Sequence, residues 1–205
     1  REAINTYSEM VESQLSELGV SSERVLPNAY AQSIATKINH LAQGGTDRKG
    51  AEDAAKTVAG MAQLWGNRWN DVLDQMEGDK LLPSGMSVVS TMPQDGPRAA
   101  QLVEAISIGR SELTDSLQSQ QVKDVEEVVM TELVEFRETI GGIAGHPKTY
   151  NDIKDAAELL AMKLVSEGEG PQEAAEKATH AIINQRYEYV DTFRVPVGRD
   201  VAAIR

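Results

Sequence analysis

Cysteine is absent from the chain, and with it every disulfide staple, thiolate metal site and cysteine nucleophile. Aromatic residues amount to 4% and histidine occurs only three times, which leaves little for an imidazole base or a histidine metal set. No run approaches the roughly 18–20 consecutive apolar residues of a membrane-spanning helix, and the N-terminus lacks a basic-then-apolar signal pattern. Positive charge is also scarce. Twenty Lys and Arg face 32 Asp and Glu, a formal net charge of −12. Such a surface repels a phosphate backbone and argues against sequence-independent DNA or RNA binding as the main task. What is present, over 205 residues, is Ala, Leu, Val and Ile recurring with Glu, Lys and Gln, a composition that favours helix over sheet. The expectation is an all-α fold, seven or eight amphipathic helices in a bundle, as one unit or as two lobes sharing a surface.

Periodicity and punctuation place the elements. Ile4, Tyr7, Val11, Leu15 and Leu18 predict a helix over about 2–18, stopped by Gly19. A second helix follows Pro27 with Tyr30, Ile34, Ile38 and Leu41 on one face. A third carries Ala51, Ala54, Ala55, Val58, Met61 and Trp65, small residues that admit a close neighbour. Trp69, Val72, Leu73 and Met76 continue it beyond Gly66. Residues 78–97 hold Gly78, Pro83, Gly85, Pro93, Gly96 and Pro97, so this stretch is expected to be an irregular connector, with Met86–Met92 an ordered loop. It divides an N-terminal lobe, 1–77, from a C-terminal lobe, 98–190.

Leu102, Val103, Ile106, Leu113 and Leu117 predict one helix to about 119. The cleanest stripe is Val122, Val125, Val129, Leu133, Phe136, Ile140 and Ile143, with Val125, Val129, Leu133 and Phe136 the expected core. Thr149 and Asp152 resemble a capping box before Ile153, Ala156, Ala157, Leu160 and Leu164. Pro171 opens a last helix with Ala174, Ala175, Ala178, Ile182 and Tyr189 facing in. The helical period is then lost, and 191–205 is expected to be an extended arm. No sheet is expected. The chain starts at Arg1 in a helical pattern, as expected of a piece of a longer polypeptide.

Candidate chemistry is thin. The acidic run 124–138 puts carboxylates on shared helix faces, but a carboxylate-bridged metal bundle wants Glu-x-x-His, and Lys37, Ile143 and Lys177 precede His40, His146 and His180 by three. A solvated face is the better reading. The histidines stand apart, with no His-Glu-x-x-His, no Ser-centred elbow and no glycine-rich phosphate cradle. Glu12-Ser13 has the dipeptide of a lytic transglycosylase but lies inside the first predicted helix, without the downstream Gly-rich, Gln-bearing stretch. No catalytic residue, metal or cofactor is assigned.

Two places carry contact chemistry instead. Trp65 and Trp69 lie four apart with Arg68 between them, either a core anchor or a hot spot with Arg68 on its rim; the core anchor is favoured. Tyr187, Tyr189 and Phe193 cluster with Arg186, Arg194 and Arg199, the composition of a contact surface between copies or with a continuing polypeptide, and equally of a linker packed back on its own domain. The order of an Ala-rich helix, Gly66-Asn67-Arg68-Trp69, Leu81-Leu82-Pro83, long helices, Ala174-Ala175-x-x-Ala178, Arg186-Tyr-Glu-Tyr189 and Phe193-Arg-Val-Pro196 resembles interior segments of the large internal virion proteins of tailed phages. The resemblance spans about residues 50–200. Members of that family are ejected with the genome and often carry a peptidoglycan-cleaving domain elsewhere in the same polypeptide. The resemblance implies a non-enzymatic structural module in the virion interior, whose partners are other copies, the rest of a longer chain or other virion proteins. Nothing of the transglycosylase motif transfers to this segment. Without the resemblance, the expectation is a cytoplasmic helical bundle that binds a small ligand or regulates.

Overall fold

A computed structural model describes residues 26–43, 47–65, 69–83, 85–92, 96–139, 147–184, 187–190 and 193–196, together with Thr6 and Met10, both helical. The fold is all-α. Among the described residues there are nine α-helices: α1 (Asn28–Gln43), α2 (Arg48–Trp65), α3 (Trp69–Gly78), α4 (Met86–Thr91), α5 (Arg98–Ile108), α6 (Arg110–Ser116), α7 (Ser119–Thr139), α8 (Pro147–Ser166) and α9 (Pro171–Thr179). A single π-type turn, His180–Asn184, continues α9, and two short strands follow, β1 (Tyr187–Val190) and β2 (Phe193–Pro196). No helix among the described residues is long and apolar enough to cross a membrane. The expected first helix and the ends of the arm lie outside the described residues.

Two helices form the centre. Helix α8 packs against α4, α5, α6, α7 and α9, while α5 packs against α8 on one side and α2 on the other. Surrounded in this way, α5 buries eight successive residues, Ala99 to Ile106, and α8 buries Ala156 to Met162 without interruption. Neither has a solvated face through these stretches, so polar groups that fall there are enclosed. The remaining helices are amphipathic in the ordinary sense. Val125, Val129, Leu133 and Phe136 of α7 are buried, as their spacing predicts, and Ala174, Ala175 and Ala178 let α9 lie close on α7 and α8. The buried apolar side chains form a continuous cluster that runs from Leu26 and α1 through α5 and α8 to Ile183.

Five local expectations are corrected. Met86–Met92 is not a loop: Met86–Thr91 forms α4, with Met86, Val88, Val89 and Ser90 buried among α2, α3, α5 and α8. Local β-tolerance yields here to tertiary packing. Gly85 enters α4 at φ +96°, where a Cβ would sit 3.4 Å from Ile106 Cδ1, and Glu77 Oε1 accepts the Ser87 N–H at 3.1 Å. The stretch from Pro97 to 119 is not one helix. Gly109, at φ 87° and ψ 153°, breaks it into α5 and α6, and Leu117 in extended conformation separates α6 from α7. Only glycine adopts the Gly109 conformation without strain.

The last helix stops at Thr179, so Tyr189 is not on it, and the extended segment starts at Tyr187 rather than 191. It is also a hairpin, where no sheet is expected. Tyr187 pairs with Pro196, Glu188 with Val195, Tyr189 with Arg194 and Val190 with Phe193, antiparallel. Proline is tolerated at the end of such a strand because it withholds only a terminal donor. Finally, α8 begins at Pro147, so Thr149 lies within the helix and is not its cap.

Candidate functional site

Three polar side chains fall on the enclosed stretches of α5 and α8: Gln101, Glu104 and Glu158. An enclosed carboxylate without a partner costs several kcal/mol, so each must draw a cation to itself. Glu158, 1% exposed, has two. Its Oε2 accepts from Arg110 Nη1 at 2.6 Å and its Oε1 from Lys154 Nζ at 2.8 Å. The second arm of Arg110 reaches Glu126 Oε1 at 2.8 Å, so one guanidinium at the start of α6 ties α7 to α8. Burial acts to lower the Arg110 pKa, but the hydrogen bonds and charges of Glu158 and Glu126 outweigh it and hold the guanidinium above its usual range.

Glu104 solves the same problem toward α2. It accepts from Arg48 Nη1 at 3.1 Å and from Lys163 Nζ at 3.0 Å, and Lys163 also binds Glu167 Oε1 at 3.0 Å. Gln101 donates to Glu167 Oε2 at 2.6 Å and accepts from Arg98 Nη1 at 2.7 Å. Beyond it Lys177 of α9 holds Glu169 at 3.0 Å and Glu173 at 2.8 Å. Burial pushes Lys163 down, yet the hydrogen bonds it donates to Glu104 and Glu167, with their charges, raise it above the ordinary lysine value. Burial pushes Glu167 up, and the Lys163 and Gln101 hydrogen bonds with the Lys163 charge bring it below the ordinary carboxylate value. A carboxylate held ionised in this way is a poor general acid near neutral pH. The ladder joins α2, α5, α8 and α9 and is built for cohesion.

Asp155 differs. It is half-buried on α8, and burial, then the charge of Glu158, raise its pKa against the opposing pull of Lys154 and Arg110. Asp155 lines a cleft of about 360 Å³ with Pro83, Ile106, Gly109, Arg110, Lys154, Glu158 and Leu159. Gly109, at the joint of α5 and α6, lies on the wall of this cleft.

The residues singled out from sequence lie elsewhere. Trp69 is 1% exposed and in the core; Trp65 is partly buried beside it, ring centroids 6.0 Å apart and planes tilted by 46°. The Trp69 indole N–H is buried without a hydrogen-bond partner. Arg68 and Arg186 lie outside the described residues. Tyr187, Tyr189, Phe193 and Arg194 all fall in the hairpin, where Tyr189 pairs directly with Arg194. Sequence reasoning passed over Arg110, Glu104, Glu158, Asp155 and Lys163. Their signal was a lone Glu inside an apolar run, in Leu102-Val-Glu-Ala-Ile106 and Ala156-Ala-Glu-Leu-Leu160, with Lys154 four residues before Glu158. No group of three or more His, Asp or Glu among the described residues is arranged to hold a metal ion. Comparison with protein-family models, with curated proteins and with solved structures found no match to this chain.

Proposed function

We propose that this chain is a non-enzymatic helical module for structure and interaction, a segment of a phage internal virion protein that serves virion assembly or genome ejection. The virion part rests on the sequence resemblance over residues 50–200. The interaction part rests chiefly on the C-terminal ribbon. The chain has nine aromatics, two Trp, five Tyr and two Phe, and Tyr187, Tyr189 and Phe193 fall within its two strands. A two-stranded ribbon is marginal by itself in water and gains stability by lying against another surface. Here β2 approaches α7, and the sheet has two strands only among the described residues. The ion-pair ladder supports the same reading, since its enclosed carboxylates are committed to cations from neighbouring helices.

The test is light scattering and thermal unfolding of the full chain and of a form lacking 190–205. The reading expects the shortened form to lose self-association or binding to the continuing polypeptide. Unchanged assembly and unchanged stability would overturn the contact role, and muralytic activity abolished by Glu12→Gln would overturn the non-enzymatic one. A second reading, a helical bundle for a small ligand unrelated to phage, is favoured by the cleft beside Asp155.

A further inference from the structure

The cleft between the α5–α6 joint and α8 has an asymmetry of charge that points to a ligand. Its cations are used: Arg110 is committed to Glu158 and Glu126, and Lys154 to Glu158. Its most buried carboxylate is used as well, because both oxygens of Glu158 accept from those cations. Asp155 is left over. Among the described residues it makes no hydrogen bond or ion pair, although it lines the cleft. Two cations therefore stand against the three carboxylates of Glu126, Glu158 and Asp155, and the unmatched negative charge resides on Asp155. The rest of the wall is apolar, with Pro83, Ile106 and Leu159. A volume of about 360 Å³ lies at the small end of ligand pockets.

We infer that this cleft binds a small organic cation, a primary ammonium on a short apolar body, with Asp155 accepting from the ammonium and Ile106, Leu159 and Pro83 holding the body. The ammonium supplies what the cleft lacks, an opposite charge with donors, while the apolar body lies on exposed Pro83 and on the narrow edges that Ile106 and Leu159, 7% and 9% exposed, leave to the cleft. An anion meets the opposite situation, since Asp155 and Glu158 face it and the two cations are already bound. The raised pKa of Asp155 agrees: burial, then the charge of Glu158, outweighs the pull of Lys154 and Arg110, and an ammonium in contact would oppose both. This inference deepens the small-ligand reading and does not depend on the ribbon or on the virion resemblance.

The probe is n-hexylamine, titrated into the full chain and followed by backbone amide NMR, with hexanoate and 1-hexanol as matched comparisons. Expected are saturable shifts centred on Ile106, Gly109 and Leu159 for the amine, with hexanol about tenfold or more weaker and hexanoate weaker still. Asp155→Asn, which keeps size and removes the charge, should weaken the amine by about tenfold or more while circular dichroism stays unchanged. Absence of shifts at those residues, equal binding of hexanoate, or undiminished binding to Asp155→Asn would each overturn the site. The comparison of the three probes needs no variant, so it decides the matter even if Asp155→Asn folds poorly. Failure here would leave the truncation test of the ribbon untouched.

Discussion

Replacing Glu158 by Gln tests whether the enclosed charge organises the junction of α6, α7 and α8. The side chain is 1% exposed, and Gln keeps its shape while turning one acceptor into a donor aimed at a cation. At about 4 Å between charges and an effective dielectric near 20, each pair is worth about 4 kcal/mol before desolvation. Two pairs thus oppose a cost of several kcal/mol for enclosing the carboxylate. Removing one partner of a fully buried pair costs about 3–5 kcal/mol. Here the penalty is smaller, because Arg110 is 42% exposed and keeps Glu126, and Lys154 is 28% exposed and can turn to water. Relief of the repulsion with Asp155 reduces it further. The expected loss is about 2–3 kcal/mol, which for a chain of this length lowers Tm by about 5–10 °C. Urea unfolding and calorimetry measure it, and a cycle with Arg110→Gln should show coupling of about 1–2 kcal/mol. A Tm within about 1 °C of the parent, with additive variants, would refute the claim that this carboxylate ties the three helices together.

Phe136→Ala, at a residue 1% exposed on α7, should cost about 3–5 kcal/mol in urea unfolding. Gln75→Leu removes a side chain that accepts the Leu26 N–H and donates to the Leu26 carbonyl, both at 2.9 Å, and should cost about 2–4 kcal/mol. Hydrogen exchange should then rise first at Leu26. Stability should depend on pH on both flanks. Glu167, lowered, contributes stability above its ordinary range that is lost as pH falls through its folded value; Lys163, raised, contributes below its ordinary range and loses it as pH rises through its folded value. Lys163→Gln should flatten both flanks of the unfolding free energy against pH, and a profile unchanged by the substitution would contradict the pairing. Asp155, raised, acts with the opposite sign on the acid side, so Asp155→Asn should increase stability at neutral pH and leave it unaltered at acid pH.

Amphipathic periodicity was enough to identify α1, α2, α7 and α9, because each keeps a solvated face and the alternation of residue types records it. Val125, Val129, Leu133 and Phe136 were legible as core for that reason. Proline and glycine marked the ends of elements but not their kind. Met86–Thr91 carries β-tolerant residues and is helical, since four of its side chains are taken up by surrounding helices. Gly109 is one glycine among sixteen, and nothing in its local sequence marks it as the one that breaks the helix and lets α6 pack on α8.

The candidate cleft was not legible. Lys154 and Glu158 form an ordinary i, i+4 pair on the page, indistinguishable from the solvated pair Glu173 and Lys177, whose Glu is well exposed. What separates them is that α5, α6 and α7 close over one side of α8, which removes water from Glu158 and requires Arg110 to reach it from another element. Composition and period by themselves determined an acidic, cysteine-free, helical chain and most of its buried stripes, because those depend on neighbours three and four residues away. Which charges are enclosed, which are matched and which one is left over in the cleft depends on contacts between residues 16 to 56 positions apart, and only the tertiary structure decided it.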